Sequence, residues 1–218
     1  MKKTIISILA AAVTMTACDL NKMPLSQLSP NTFFSTEAEL EAFSNNFYND
    51  LPGTSVYEEE SDLLIKDGLL AEMRDGRTIP ASGGGWTFTE LRNYNTLIEY
   101  SVNCPDIEVR NEYVALARFF RAYFYFEKVK RFGDVPWYDK QLGSADPELY
   151  KPRDSRDLVM TKVIEDLDYA SEYLPTVHKL YKVTKWTALA LKSRACLFEG
   201  TFRKYHNISG LEHDADFF

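Results

Sequence analysis

Residues 62–95 contain side chains that could together bind a sugar. Asp67, Arg74, Arg92 and Asn93 offer hydrogen-bonding groups that match hydroxyls, and Trp86 offers a flat aromatic face for the C–H surface of a ring. Asp62 and Arg77 belong to the same stretch. Each residue also has a plainer interpretation. Trp86 could equally be a core aromatic at the start of a helix, and solvation in a loop is the preferred interpretation of Arg74 and Arg77.

Catalytic, metal and phosphate chemistry has much weaker support in the sequence. The three histidines, His178, His206 and His213, stand in no motif with a nucleophile. With 32 acidic residues some carboxylate pair can always be chosen, so such a pair is no evidence for a glycosidase. The Gly83–Gly85 run lacks the lysine of a phosphate-binding loop. We therefore predict a chain that is not an enzyme, with no cofactor and no metal.

Charge and cysteine content restrict the partners. Lys and Arg number 25 against 32 Asp and Glu, a net charge of −7, and no strong basic run is present. Phosphate backbones attract basic surfaces, so we predict no nucleic-acid partner. Three cysteines are too few for a disulfide scaffold, and whether Cys104 and Cys196 pair stays open.

The first residues have the pattern of a bacterial lipoprotein signal. Lys2 and Lys3 precede an apolar run from Ile5 to Val13, which is about half the ~20 residues that a membrane-spanning helix needs. Thr16-Ala17-Cys18 then resembles a lipobox, which predicts a signal peptide over 1–17, lipidated Cys18 and a tether over 18–30. Acyl chains on Cys18 would anchor a soluble domain to a membrane. The alternative is an ordinary signal peptide with Cys18 incidental.

Hydrophobic periodicity after the tether predicts an all-α fold with long irregular loops. Thr36–Glu39 is a capping box that opens the first helix. No segment alternates convincingly with period two, so no strands are predicted. The helices are expected over 37–51, 86–102, 106–132, 155–174 and 185–205, with a short one around 62–73.

The later helices suggest paired hairpins. The helices around residues 155–174 and 185–205 are joined by about ten residues, Pro175 to Thr184, which suits an antiparallel pair. The Ala122-x3-Phe126 spacing is compatible with a tetratricopeptide-type repeat. Arg118 and Arg121 interrupt the most apolar helix, where they could contact a buried ligand. Because a buried charge must be paired, the preferred interpretation is an internal salt bridge to a helix-borne acid such as Glu127, Glu165 or Asp168.

Several short sequence segments, in their order and spacing, resemble those of the SusD/RagB family of outer-membrane nutrient-binding lipoproteins. The most specific is Ala117–Phe126 running into Phe132–Pro136. The others are Ser29–Phe34 with Thr36–Leu40 and Asn46–Tyr48, Trp86 with Leu91–Asn95, Ile164–Ala170 with Leu174-Pro175, and Thr184–Ala190 with Arg194–Thr201.

The resemblance implies a helical scaffold with tetratricopeptide-like hairpins. It implies a non-enzymatic lipoprotein, exposed on the cell surface at the outer membrane, that captures oligosaccharides or peptides for a SusC-like TonB-dependent transporter. It places part of the ligand surface in the region of Asp67, Arg74, Trp86, Arg92 and Asn93. The alternative is a helical-repeat adaptor that binds proteins and has no ligand site of its own.

Members of that family are usually about twice as long as this chain. The resemblance therefore implies that residues 31–218 are an N-terminal SusD-like domain without the later half of the family fold. If so, the last helix should expose an apolar stripe that the later half normally covers.

Overall fold

The computed structural model describes residues 32–52, 60–61, 64–65, 84–177 and 180–206. Five α-helices account for most of them: α1 (Glu37–Ser44), α2 (Thr89–Tyr100), α3 (Ile107–Phe132), α4 (Arg156–Tyr173) and α5 (Lys185–His206). Short 3-10 helices follow at Asn45–Asp50, Ser101–Asn103 and Pro147–Tyr150, and two-residue strands at β1 (Glu60–Ser61) and β2 (Leu64–Ile65). The predicted all-α fold is confirmed.

One local prediction was wrong. Part of the segment expected to be a short helix around 62–73 is β2, which pairs antiparallel with β1. The register joins Glu60 to Ile65 and Ser61 to Leu64. The rest of that segment lies outside the described residues.

Helices α2 and α3 form an antiparallel hairpin. The Phe88 ring, just before α2, lies 5.7 Å from the ring of Phe124, and Tyr94, later in α2, stacks 5.9 Å from Phe120, earlier in α3. The carboxylate of Asp106 caps α3 by accepting hydrogen bonds from the first-turn backbone amides. Aromatic and small residues then fill the middle of α3, which is buried almost all round and is the centre of the core.

Helices α4 and α5 form the second antiparallel hairpin. Arg156 at the start of α4 contacts Glu199 late in α5, whereas Asp168 late in α4 contacts Lys192. Ser155 caps α4, and the predicted stripe of α4 is buried from Val159 to Leu174. Two successive antiparallel pairs are the arrangement that the tetratricopeptide-like prediction required.

Neither cysteine of the described helices and loops is in a disulfide. Cys104 is buried and Cys196 is half-buried, and both are free. Desolvation raises the pKa of the Cys196 thiol, which keeps it protonated and weakly reactive at neutral pH. No described helix combines the length and hydropathy of a membrane-spanning segment.

Gly133 ends α3 in a backbone conformation that favours glycine, with φ 72° and ψ −112°. A Cβ at this position would meet no heavy atom within 4 Å. Any loss of stability on substitution would therefore come from backbone strain at this φ. We expect Gly133→Ala to lower the free energy of unfolding by about 1–3 kcal/mol, measured by urea denaturation. Gly143→Ala is the control, because its φ is ordinary and its Cβ also meets open space. An equal loss in both variants would contradict the argument.

Candidate functional site

Trp86 lies on the surface, just before α2. Its side chain is 41% exposed, and its ring packs edge-to-face against Phe88 and Phe132, with centroids 5.3 and 4.9 Å away. The guanidinium carbon of Arg153 lies 4.7 Å from the indole centroid. Of the two interpretations open from the sequence, burial in the core is therefore wrong. We call Trp86, Phe88, Phe132, Arg131 and Arg153 the Trp86 surface.

The backbone before Trp86 is fixed by α3. Gly85 has φ 82°, a conformation that side chains rarely adopt, and its carbonyl accepts a hydrogen bond of 2.6 Å from Lys128 Nζ. The Lys128 ammonium also lies 4.7 Å from the ring centroid of Phe124. Burial lowers the pKa of Lys128, although nearby Glu90 opposes the effect. Lys128 therefore positions the Trp86 surface by contacting the backbone.

A row of aromatic rings connects Trp86 to a cavity. Phe88 touches Trp86 and also Tyr138, whose ring centroid is 5.9 Å away. Beyond them an open cavity of about 320 Å³ lies between the start of α2 and residues 138–149. We call it the Tyr138 cavity; its lining residues are Phe88, Thr89, Leu91, Arg92, Asn95, Tyr138, Lys140, Leu142, Gly143, Ser144 and Leu149.

Arg92 and Lys140 give this mostly apolar cavity a cationic lining. Lys140 pairs with Glu148 at 2.7 Å, and the hydrogen bond and charge of Glu148 raise the pKa of Lys140. Arg92 is exposed, and none of the described residues forms an ion pair with its guanidinium. Apolar walls with a few polar groups are typical of small-molecule sites.

The floor of the Tyr138 cavity is a buried hydrogen-bond network. Asn95 Nδ2 donates to the carbonyls of Tyr138 and Lys140 at 2.9 and 3.1 Å, and Asn95 Oδ1 accepts from Arg121 Nη1 at 3.0 Å. Arg121 also donates to both carboxylate oxygens of Asp166, at 2.7 and 2.8 Å. Burial by itself would lower the pKa of Arg121. The hydrogen bonds and negative charge of Asp166 have a larger opposite effect, so the pKa of Arg121 is raised. The network fixes residues 138–140 against α2 and α3.

The internal salt bridge predicted for these arginines exists and its acid lies on a helix, but that acid is none of the three named as examples. Arg121 and, at 3.8 Å, Arg118 meet Asp166 and not Glu127, Glu165 or Asp168. Asp166 lies on the buried side of α4, whereas Glu165 and Asp168 pair with lysines at the surface. Arg118 also stacks 4.2 Å from the ring centroid of Tyr169.

A buried tyrosine holds the segment that leaves α3. The Tyr125 hydroxyl accepts a hydrogen bond of 2.6 Å from the Tyr138 amide and donates to the Pro136 carbonyl at 3.2 Å. Burial raises the pKa of Tyr125, so the hydroxyl stays neutral and performs both roles. Asp154 accepts from the Trp137 amide at 2.7 Å. The Phe132–Pro136 segment therefore has a structural role: it places Tyr138 in the lining of the cavity.

The structure brings together some of the predicted site residues. Trp86 and Arg92 belong to adjoining surfaces that share Phe88. Asn93 is exposed on α2 but does not line the Tyr138 cavity. Asp67, Arg74 and Cys18 lie outside the described residues. Phe88, Tyr138 and Arg153 were not singled out from the sequence, since their contacts depend on how segments far apart in the chain pack.

Comparisons with known proteins agree on one family. The SusD-like family model described as "Starch-binding associating with outer membrane" matches residues 87–197, more than half of the chain. A SusD-like protein of Formosa agariphila is 30% identical over 225 residues, covering 94% of this chain and 45% of the relative. A second from that species is 22% identical, covering 80% and 38%. The chain thus spans less than half the length of these curated relatives.

Solved structures show the same fold. A SusD-like protein from Bacteroides fragilis matches with a TM-score of 0.61 and 24% identity, over 84% of this chain and 38% of that one. A SusD-like carbohydrate binding protein from Bacteroides vulgatus matches with a TM-score of 0.56 and 21% identity, over 78% and 43%. At these identities the likeness concerns the helical fold alone.

Proposed function

The chain belongs to the SusD-like family, and from that premise we propose that it captures an oligosaccharide at the Trp86 surface. The observation that carries the proposal is a half-exposed tryptophan held in a fixed orientation beside an open, aromatic-lined cavity. An indole face binds the C–H surface of a sugar ring, and Arg92 can donate hydrogen bonds to its hydroxyls. Binding without turnover is proposed, since the sequence offers no nucleophile or acid–base motif.

The cellular role proposed is delivery of the bound sugar to a SusC-like TonB-dependent transporter in the outer membrane. The family description, which includes association with that membrane, supports this role. The Thr16-Ala17-Cys18 motif supports anchoring by lipidated Cys18 at the cell surface, with a signal peptide over 1–17, a tether over 18–30 and the SusD-like domain over 31–218.

Trp86→Ala tests the proposed site. We expect affinity for the bound oligosaccharide to fall at least about tenfold, because aromatic contacts of this kind contribute roughly 1–2 kcal/mol or more. The measurement is retardation of the full chain in native gels containing starch, pullulan, polygalacturonate or chondroitin sulfate.

Trp186→Ala is the matched control. This tryptophan is 60% exposed on α5 and belongs to neither the Trp86 surface nor the Tyr138 cavity. Should Trp86→Ala lose helicity, Arg92→Gln replaces it, because Arg92 is exposed and its loss leaves no gap in the core. Retardation that is unchanged in Trp86→Ala and Arg92→Gln would refute the site.

A second candidate function, a protein-binding adaptor, is favoured by the outer side of α5. Trp186, Leu189 and Leu197 are exposed there, and clustered apolar side chains at a surface are typical of protein contacts. Two results together would support the adaptor function: no polysaccharide retards the chain, and Trp186→Ala abolishes capture of a SusC-like transporter from outer-membrane extracts.

A further inference from the structure

We infer that the oligosaccharide bound at the Trp86 surface is anionic, carrying carboxylate or sulfate groups that Arg131 and Arg153 recognise. The inference rests on the proposed function and adds the chemical class of the ligand. It begins from where these two arginines lie. The guanidinium carbon of Arg153 is 4.7 Å from the Trp86 centroid, and that of Arg131 is 5.7 Å from the centroid of Phe132, the ring that packs on Trp86.

Both guanidinium groups are exposed at the surface. In the described part of the chain neither Arg131 nor Arg153 forms an ion pair. Acids close to them in sequence are already engaged. Glu127 pairs with Lys130 at 2.5 Å, and Asp154 pairs with Lys151 at 2.8 Å while also accepting from a backbone amide.

This local positive charge contrasts with the rest of the molecule. The whole chain carries a net charge of −7. Two arginines that form no ion pair with any described residue, beside one exposed tryptophan, are a local reversal of sign. A neutral sugar can accept hydrogen bonds from these guanidinium groups, but it gains no charge–charge attraction from them. A carboxylate or sulfate does gain, because the planar guanidinium donates two parallel hydrogen bonds to such oxyanions.

The aromatic contacts also prepare the two arginines for binding. Stacking of Arg153 on the indole limits the orientations of its side chain, so less entropy is lost when it binds an oxyanion. Arg131 is restricted in the same way by Phe132 and by the close approach of Gly85, where a Cβ would lie 3.5 Å from Arg131 Nε. A sugar ring on Trp86 would place its acidic substituent beside these donors.

The test compares acidic and neutral polysaccharides in native affinity gels with the full chain. Polygalacturonate presents carboxylates and dextran sulfate presents sulfates, and fully methyl-esterified polygalacturonate, starch and pullulan are neutral. We expect retardation by polygalacturonate or dextran sulfate, and the one that acts identifies the oxyanion. Binding should weaken on the order of tenfold in the double variant Arg131→Gln/Arg153→Gln and weaken further as salt rises.

A charge-matched variant, Lys162→Gln/Lys185→Gln, separates recognition from general attraction to polyanions. Lys162 pairs with Glu165 on the surface of α4, and Lys185 begins α5, at the far end of that hairpin from Arg153. We expect this control to bind as the unchanged chain does. An equal loss in both double variants would overturn the inference, since only net charge would then matter.

Other outcomes separate the inference from the proposed function. Retardation by starch, pullulan or the methyl ester that requires Trp86 but not the two arginines would overturn the anionic class and leave sugar capture standing. Retardation by an acidic polysaccharide that requires the arginines but survives Trp86→Ala would support charge recognition and refute Trp86 as the platform. No retardation by any polysaccharide would refute both.

Discussion

Asp166→Ala should lower the free energy of unfolding by about 3–5 kcal/mol, the usual cost of removing one partner from a buried ion pair. Asp166 is buried on α4, and its two carboxylate oxygens accept from Arg121 Nε and Nη2 at 2.7 and 2.8 Å. Without them the hydrogen-bond acceptors left to this buried guanidinium among the described residues would be Asn95 Oδ1 and the carbonyl of Asp139, at 3.0 and 3.3 Å, and neither acceptor is charged. The uncompensated charge accounts for most of the expected loss.

Urea denaturation followed by circular dichroism measures this change, with Asp168→Ala as the matched control. Asp168 lies two residues further along α4 and pairs with Lys192 at the surface, where such pairs contribute less than about 1 kcal/mol. The comparison also tests the assignment of the acid, since Asp168 was one of the acids proposed from the sequence and the structure gives Asp166. Similar losses in the two variants would mean that Arg121 is not stabilised chiefly by Asp166.

The same pair stabilises the candidate site. Arg121 donates to Asn95, and Asn95 donates to the carbonyls of Tyr138 and Lys140 at the floor of the Tyr138 cavity. In Asp166→Ala we therefore expect faster amide hydrogen exchange in residues 138–142 than in the unchanged chain under conditions where both are folded.

Local patterns explain why the helices could be predicted from the sequence. Thr36, Asp106 and Ser155 are capping residues at the starts of α1, α3 and α4. Gly133 marks the end of α3 because its positive φ excludes most other residues. The apolar period of 3.6 then indicates which side of each helix is buried. These signals lie within a few residues of each other, so no knowledge of the tertiary structure is needed.

The contacts that build the site depend on residues far apart in the chain. Lys128 binds the carbonyl of Gly85, and Asn95 binds that of Tyr138, each across 43 residues. The position of Asn95 on the buried side of α2 indicates that its side-chain amide needs hydrogen-bond partners, but no pattern in the sequence identifies the carbonyls that it contacts. Likewise part of the positive charge on the Trp86 surface comes from Arg153, which is 67 residues from Trp86 in the chain and meets it only in the folded structure.

Glu199→Gln is expected to have a stability cost of similar size, at least about 3 kcal/mol. Glu199 is fully buried on α5, where Oε2 accepts from Arg156 Nε at 2.7 Å and Oε1 accepts from Arg203 Nε at 3.0 Å. Arg203 Nη2 also donates to Asp157 Oδ1 at 2.6 Å, so two acids and two arginines join the start of α4 to the end of α5. Glutamine preserves the shape but removes the negative charge that both Arg156 and Arg203 contact.

The measurement is again urea denaturation, with Glu165→Gln as the control because that glutamate is exposed and pairs with Lys162 at the surface. A loss below about 1 kcal/mol in Glu199→Gln would show that the buried charges are compensated in another way. Polysaccharide retardation provides a second measurement. Glu199 does not contact the Trp86 surface, so the folded fraction of Glu199→Gln should be retarded as the unchanged chain is. Arg153 precedes α4 by three residues. If Glu199→Gln loses both stability and retardation, the α4–α5 hairpin positions Arg153, and the hairpin and the Trp86 surface unfold together.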